Sequence, residues 1–324
     1  MHRSIVAMLI ALFATAAAAQ AKFAVAVLVF ERVQDIDFTA PIEVLHQQGA
    51  NIFTVAVRKD PITTVAGLHI TPDYDLDHAP AADLILIPGG GVGDTAKNER
   101  VAAWLNGRAT KARYVMSVCN GAFILASAGL LDGLRATTTA SHIDELAERF
   151  PKVRVVRERY IDNGNIITTA GLSAGIDGAL HIIDREFGRL RAEQVARNIE
   201  YRWDPASKWT RSRYADLHMP EIELPENANR KMLASDGDND HWTTSRRVHI
   251  ATEEGALDMV TKQLTNEGWK VRERAKKRIK AVDTDREGQK WQLTVMLSPD
   301  KEASTYIETV TIQKIRRSSH RRSA

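Results

Sequence analysis

At 324 residues, with 44% hydrophobic and 26% charged side chains, the chain has the make-up of a soluble globular protein, and its length points to two domains. A formal net charge of +3 is too small for that length to argue for an acidic partner, so basic residues matter only where they cluster. A single cysteine excludes an internal disulfide.

In chain order, the first element is a leader. Met1-His2-Arg3-Ser4 supplies a short basic start, Ile5 to Ala19 is an apolar run rich in Ala, and Ala19-Gln20-Ala21 gives the small-x-small pattern that a signal peptidase needs. The run is shorter than the about 20 residues of a comfortable transmembrane span, and no cysteine follows it to carry a lipid. Residues 1–21 therefore read as a signal peptide cleaved after Ala21, exporting a chain that begins at Lys22 to the periplasm with no stable membrane anchor. An uncleaved anchor is the competing reading. An unpaired thiol in an oxidising compartment is open to oxidation, so its retention asks for a reason.

Phe23 to Phe30 is apolar on both faces and predicts a buried parallel strand. Thr39-Ala40-Pro41 looks like a helix start with proline in the first turn, and Ile52 to Val57 like a second strand. After an excursion at 63–78, strand Asp83 to Ile87 runs into Pro88-Gly89-Gly90-Gly91. Helix Asn98 to Ala112, strand Tyr114 to Val118 and a short helix Gly121 to Leu131 follow. Ser141 to Phe150 reads as a helix capped by Ser141, Val153 to Thr169 as a hairpin, and 173–187 and 190–201 as helices. This alternation implies an α/β fold with a doubly wound parallel sheet over residues 22–205. Residues 206–240 are polar, carry Pro220 and Pro225, and read as a linker. A small α+β domain of strands and one helix (253–266) is expected over 241–315, with a basic tail at 316–324.

The stretch Tyr114 to Gly133, YVMSVCNGAFILASAGLLDG, is the informative one. It sets Cys119 where a buried strand ends and a helix begins, at the carboxyl edge where doubly wound sheets bind ligands. The N–H groups and dipole of that helix favour a thiolate, which predicts an acidic, reactive thiol. Gly121 lets the chain turn sharply and a substrate approach. A buried structural cysteine is the alternative.

VCNGAFILASAGLLDGLRATTT resembles the cysteine-elbow block of the ThiJ/PfpI superfamily, relatives of class I glutamine amidotransferases. LVFERVQDIDFTAPIEVL, DLILIPGGGVG and ITTAGLSAGIDGALHIID agree with it in order and spacing, so the resemblance spans about residues 22–205. The first of these is most similar to isonitrile hydratases and to the sensor domains of some AraC-type regulators. The resemblance implies a flavodoxin-like fold with Cys119 as nucleophile and Asp37, in Asp37-Phe38-Thr39-Ala40-Pro41, as acid/base. It also implies an anion hole from the backbone N–H groups of Gly90 and Asn120. A helix cap is the other reading of Asp37. Glu43 stands near the place where deglycase-like relatives set a glutamate against the thiol, and is a secondary candidate. By the same resemblance the partner is a small-molecule substrate, the chain is a homodimer, and no metal or organic cofactor takes part.

The chain also departs from the pattern. Asn120 stands where isonitrile hydratases usually have Thr, which keeps a backbone donor and loses a hydroxyl able to relay a proton. Ala40 replaces a glycine, no His follows Cys119, and Thr139 stands where other relatives carry His. His142 reads as a surface residue. Gly89 to Gly93 lacks the G-x-G-x-x-G order and a matching acid, which argues against nucleotide binding. The basic run 270–280 (KVRERAKKRIK) reads as the solvated face of an edge strand rather than a nucleic-acid or membrane contact. With no tandem helix-turn-helix after residue 205, no nucleic-acid partner is expected. The leading expectation is a cysteine-dependent hydro-lyase resembling isonitrile hydratase. A glyoxalase- or deglycase-like enzyme and a non-catalytic ligand-sensing domain are the alternatives.

Overall fold

The computed structural model describes residues 22–207, 209–224, 228–285 and 287–315, and the chain separates into two compact units between residues 208 and 209. The expected signal peptide and basic tail lie outside the described residues. Among the described residues no helix is long and apolar enough to cross a membrane.

The first unit holds a seven-stranded sheet of β1 (Ala24–Leu28), β2 (Asn51–Ala56), β3 (Tyr74–Asp75), β4 (Leu84–Ile87), β5 (Tyr114–Ser117), β6 (Tyr160–Asp162) and β7 (Ile166–Thr169). The spatial order is β6-β7-β5-β4-β1-β2-β3, and every neighbouring pair is parallel except β6 with β7. β4 (LILI) and β5 (YVMS) are buried along their whole length, as expected of strands flanked on both sides and covered on both faces. The register sets Val27 beside Leu86, and Ser117 beside both Ile87 and Thr168. The chain therefore leaves β1, β4, β5 and β7 at one edge. This is the doubly wound parallel α/β fold expected from the alternation, and the flavodoxin-like fold that the resemblance implies.

The helices are α1 (Asp35–Gln47), α2 (Gly93–Lys97), α3 (Glu99–Ala109), α4 (Ala122–Ser127), α5 (Ile143–Arg149), α6 (Ala174–Phe187) and α7 (Arg189–Asn198). Asn98 caps α3 by accepting from the N–H groups of Arg100 and Val101. α1 begins four residues before the expected start at Thr39. The Gln34 N–H is tied to the Gly89 carbonyl at 2.8 Å and the Asp37 N–H to the Gln34 carbonyl at 3.1 Å, which winds the chain early. Pro41 lies inside the helix, where it has no N–H to give the Asp37 carbonyl. Asp37 thus stands in the first turn of α1 and not in the loop before it. Ser141 does not cap a helix: Ala140–His142 is a 3-10 turn and the Ser141 hydroxyl pairs with the His142 ring at 2.9 Å. The expected hairpin forms only at Tyr160–Thr169, while Arg154–Val155 pairs with Arg135–Ala136.

In the second unit β8 (Lys231–Gly237), β9 (His241–His249), β10 (Lys270–Ala275), β11 (Arg278–Thr284), β12 (Lys290–Pro299) and β13 (Thr305–Lys314) form an antiparallel sheet ordered β8-β9-β13-β12-β11-β10. α8 (Glu253–Asn266), capped by Thr252, buries Leu257, Val260 and Leu264 in the same core as Ile279, Leu293, Val295 and Ile312. Residues 206–240, read from sequence as a linker, instead place Ala215, Ile222, Leu224 and Ala228 in that core and supply β8. Their apolar residues are scattered among prolines and charges without a period, so no pattern announces them. The basic run is a hairpin turning at Lys276 and Lys277, with β10 as the sheet's edge. Several of its charges are paired: Arg274 with Asp258 at 2.8 Å, Lys280 with Glu273 at 3.1 Å, and Arg278 with Glu273. At the opposite edge β8 is exposed, with Met232 and Leu233 at 54% and 44%, and its register breaks between Met232 and Ala234.

Candidate active site

The nucleophile candidate sits on a strained elbow. β5 ends at Ser117, Val118 is still extended, and Cys119 then adopts φ +58°, a left-handed conformation uncommon for a residue with a side chain. Strain of this kind, about 1–3 kcal/mol, persists only where the surroundings fix the backbone. Here the Cys119 N–H bonds the Ala170 carbonyl at 3.2 Å, and the Cys119 carbonyl accepts from the Thr138 hydroxyl at 2.9 Å. Gly121 follows because the elbow presses on the loop after β4. A Cβ there would lie 2.7 Å from the Pro88 carbonyl oxygen and collide with that of Ile87.

Asp37 reaches the same point from α1. Its side chain is fully buried; Oδ2 accepts from the Gly89 N–H and Oδ1 from the Leu172 N–H, each at 3.2 Å, and the Cys119 thiol donates to it as well. Gly89 makes room, since a Cβ at that position would stand 2.8 Å from Asp37 Oδ2 and 2.9 Å from Cys119 Cβ. Leu172 presents its N–H from another left-handed residue, at φ +55°. Burial raises the Asp37 carboxyl to about 6, against the lowering effect of those hydrogen bonds. Burial and the neighbouring Asp37 charge push the Cys119 thiol up to about 12. The expected acidic thiol is therefore not the resting state. The helix start is a 3-10 turn, Cys119–Gly121, and the donors it offers the sulfur are outweighed by desolvation beside a carboxylate.

Asn120 and Gly90 are brought together in an unexpected way. The Gly90 N–H donates to Asn120 Oδ1 at 2.7 Å, while Asn120 Nδ2 donates to the Gly90 carbonyl at 2.9 Å. This reciprocal pair occupies the Gly90 N–H, so the anion hole implied by resemblance lacks one of its two donors. The Asn120 backbone N–H remains, bonded to the Cys119 sulfur. Glu43 is not brought in: it is exposed and pairs with Gln47 at 2.8 Å. His142 packs edge-on against Phe123 at 6.0 Å and lies 3.9 Å from Glu145.

Sequence reasoning missed three contributors. The Thr139 hydroxyl hydrogen-bonds the Cys119 sulfur. Gly171 leaves space for it, because a Cβ there would lie 2.6 Å from Thr139 Oγ1 and 3.6 Å from the sulfur. Leu172 supplies a main-chain donor, which no side-chain pattern can reveal. The loop carrying both is steadied from behind: the Ala170 N–H bonds the Arg159 carbonyl at 2.8 Å, and the Arg159 guanidinium bonds Ser173 Oγ at 3.3 Å and Asp177 at 2.6 Å. Among the described residues no three His, Cys, Asp or Glu side chains gather as a metal-binding set.

The chain is 37% identical over 179 residues to isonitrile hydratase from Pseudomonas putida, covering 54% of this chain and 76% of that protein. It is 37% identical over 136 residues to the HTH-type transcriptional regulator GbdR of Pseudomonas aeruginosa, but spans only 37% of that regulator. Among solved structures, a ThiJ/PfpI family protein from Pseudomonas syringae matches at 33% identity with a TM-score of 0.53, over 57% of this chain and 78% of that one. Residues 24–185, which hold Asp37, Cys119, Asn120, Thr139 and Leu172, match the DJ-1/PfpI family, and the chain belongs to it.

Proposed function

We propose that the first unit is a cysteine-dependent hydro-lyase that converts isonitriles to N-substituted formamides. The observation that carries the reading is the buried hydrogen bond between the Cys119 thiol and the Asp37 carboxylate at the carboxyl edge of the sheet. An isonitrile carbon accepts a nucleophile and a proton on the same atom, and this pair offers both from one side. The thiol proton passes to Asp37 as the sulfur–carbon bond forms, and Asp37 returns it to the same carbon, giving a thioimidate. Asp37, ionised again, takes a proton from water as the water oxygen bonds to that carbon. The proton goes on to nitrogen, and the sulfur leaves with the hydroxyl proton. The sum is isonitrile plus water to formamide, with enzyme regenerated and no redox change.

The similarity to isonitrile hydratase supports this choice of electrophile. Glu43 gives no support to the deglycase-like alternative, since it faces solvent and not the thiol. Turnover of a panel of alkyl and aryl isonitriles, followed as formamide release with Cys119→Ala as control and methylglyoxal as a competing substrate, tests the reading. Formamide production lost in Cys119→Ala is the expected result. Turnover of methylglyoxal alone overturns it in favour of carbonyl chemistry, and no Cys119-dependent turnover points to ligand sensing. Export to the periplasm and homodimer formation are proposed with it, testable by fractionation and by solution mass.

A further inference from the structure

The residue after the nucleophile cannot assist it through its side chain. The amide of Asn120 is bonded at both ends to the Gly90 backbone, at 2.7 and 2.9 Å, so its carbonyl oxygen and one N–H are committed away from the sulfur. The hydroxyl that a threonine there would carry is absent. A different threonine supplies one. Thr139, on the loop leading into the Ala140–His142 turn, hydrogen-bonds the Cys119 sulfur, and the Cα of Gly171 closes over that contact.

The approach is specific. The sulfur is met by the Asp37 carboxylate, by the Asn120 backbone N–H and by the Thr139 hydroxyl. The facing 171–173 loop brings uncharged Gly171, Leu172 and Ser173, so Asp37 is the charged group acting on the sulfur. Two donors therefore converge on an atom that also gives its own proton to Asp37. A neutral thiol is a weak acceptor and gains little from two donors, whereas a thiolate accepts both well.

We infer that Thr139 is a catalytic hydroxyl that, with the Asn120 N–H, forms a two-donor cradle for the Cys119 thiolate at the moment its proton crosses to Asp37. In that step the S–H bond breaks, an O–H bond forms on Asp37, and the charge that moves to sulfur meets donors already in place. Gly171 has the supporting part of leaving Thr139 Oγ1 its position, which a Cβ 2.6 Å away would deny it. The inference concerns formation of the thiolate and holds for any electrophile, so it does not depend on the isonitrile reading.

The test uses the full chain and needs no substrate. Because Cys119 is the single cysteine in the sequence, iodoacetamide alkylation followed by intact mass reports on it alone. On the rising limb of the rate–pH profile, Thr139→Val should alkylate about 10–100-fold more slowly than wild type, the worth of one hydrogen bond to a charged atom, and the limb should move to higher pH by one to two units. Thr139→Ser, which keeps the hydroxyl, should return the rate to within a few-fold of wild type. Gly171→Ala keeps the hydroxyl but crowds it, and should alkylate slowly as well; it stands in if Thr139→Val does not fold. A wild-type limb in Thr139→Val, or in Gly171→Ala should that variant stand alone, overturns the inference. So does a Thr139→Ser as slow as Thr139→Val, which would assign the effect to the methyl group.

Discussion

Asp37 in the first turn of α1 and Cys119 at the end of β5, far apart in the sequence, meet and share one hydrogen-bonding proton in a site where the carboxyl is fully buried. Their preferences are set against each other. Burial holds Asp37 near 6 and, with the Asp37 charge, holds Cys119 near 12, so at neutral pH the proton stays on sulfur and the carboxylate is its ready acceptor.

Asp37→Asn should lower kcat/KM by at least a hundredfold, the usual scale for loss of an acid/base group, about 3–5 kcal/mol of barrier. Its effect on stability should be smaller, about 1–2 kcal/mol. The amide must turn its NH2 towards either the Gly89 or the Leu172 N–H, but it also removes a buried charge. Glu43→Gln should leave kinetics unchanged. Paired kinetics and thermal melts measure both, and the opposite ranking of the two carboxylates would sink the assignment.

Activity and stability should respond to acid in opposite directions. Below about pH 6 Asp37 is protonated and cannot accept the thiol proton, so kcat/KM should fall on that limb. The same raised carboxyl holds its proton more tightly folded than unfolded. Its stabilising contribution is therefore fully present below the ordinary aspartate range and is lost as pH rises through about 6. Melting curves and kcat/KM across pH 4–8 should show both, and Asp37→Asn should remove this residue's share of each.

Direct alkylation of wild-type Cys119 should be slow at neutral pH and climb only in the alkaline range, with no plateau near pH 7. A fast, pH-independent reaction at neutrality would mean that the proton already rests on Asp37.

The left-handed backbone at Cys119 predicts an inverted order of melting temperatures. Glycine ordinarily costs about 0.5–1 kcal/mol relative to alanine through the unfolded chain, but at φ +58° the alanine Cβ carries about 1–2 kcal/mol of strain. Cys119→Gly should melt no lower than Cys119→Ala. A clearly lower value would show that the surroundings relax the elbow once the thiol is gone.

In the second unit, Glu308 of β13 is 1% exposed, and neither of its carboxylate oxygens has a hydrogen-bond partner among the described residues; Arg246 stands 3.8 Å away. Burial raises its carboxyl above the ordinary range, the Arg246 and Arg230 charges opposing. Stability from this group is present below the ordinary glutamate range and lost as pH rises through its raised value. Glu308→Gln should therefore flatten the pH dependence of β13 stability, read from hydrogen exchange of the β13 amides.

The sequence made the parallel core legible because β1, β4 and β5 are apolar runs between turns, and it made Cys119 legible because a strand–Cys-Asn-Gly–helix junction has one geometry. Asp37 was legible through the resemblance of its block. The donors around them were not. Leu172 acts through its backbone, Thr139 is one of three consecutive threonines of which Thr137 and Thr138 bond main-chain carbonyls, and the Gly90–Asn120 pairing depends on a loop contact thirty residues apart. The helix dipole argument for an acidic thiol weighed a local field and left out the burial of the sulfur and the Asp37 charge beside it, both of which push the thiol up.

The two rims of the antiparallel sheet are unequal, and this sets a direction for self-association. β10 presents exposed Lys270 and Arg272, so a second strand approaching there meets positive charge. β8 is the opposite edge strand of this sheet among the described residues, with Met232 and Leu233 exposed and a register break interrupting its middle. Strand addition, whether by a peptide or by a neighbouring copy during aggregation, is thereby steered to β8, and the break between Met232 and Ala234 is the gatekeeper against it.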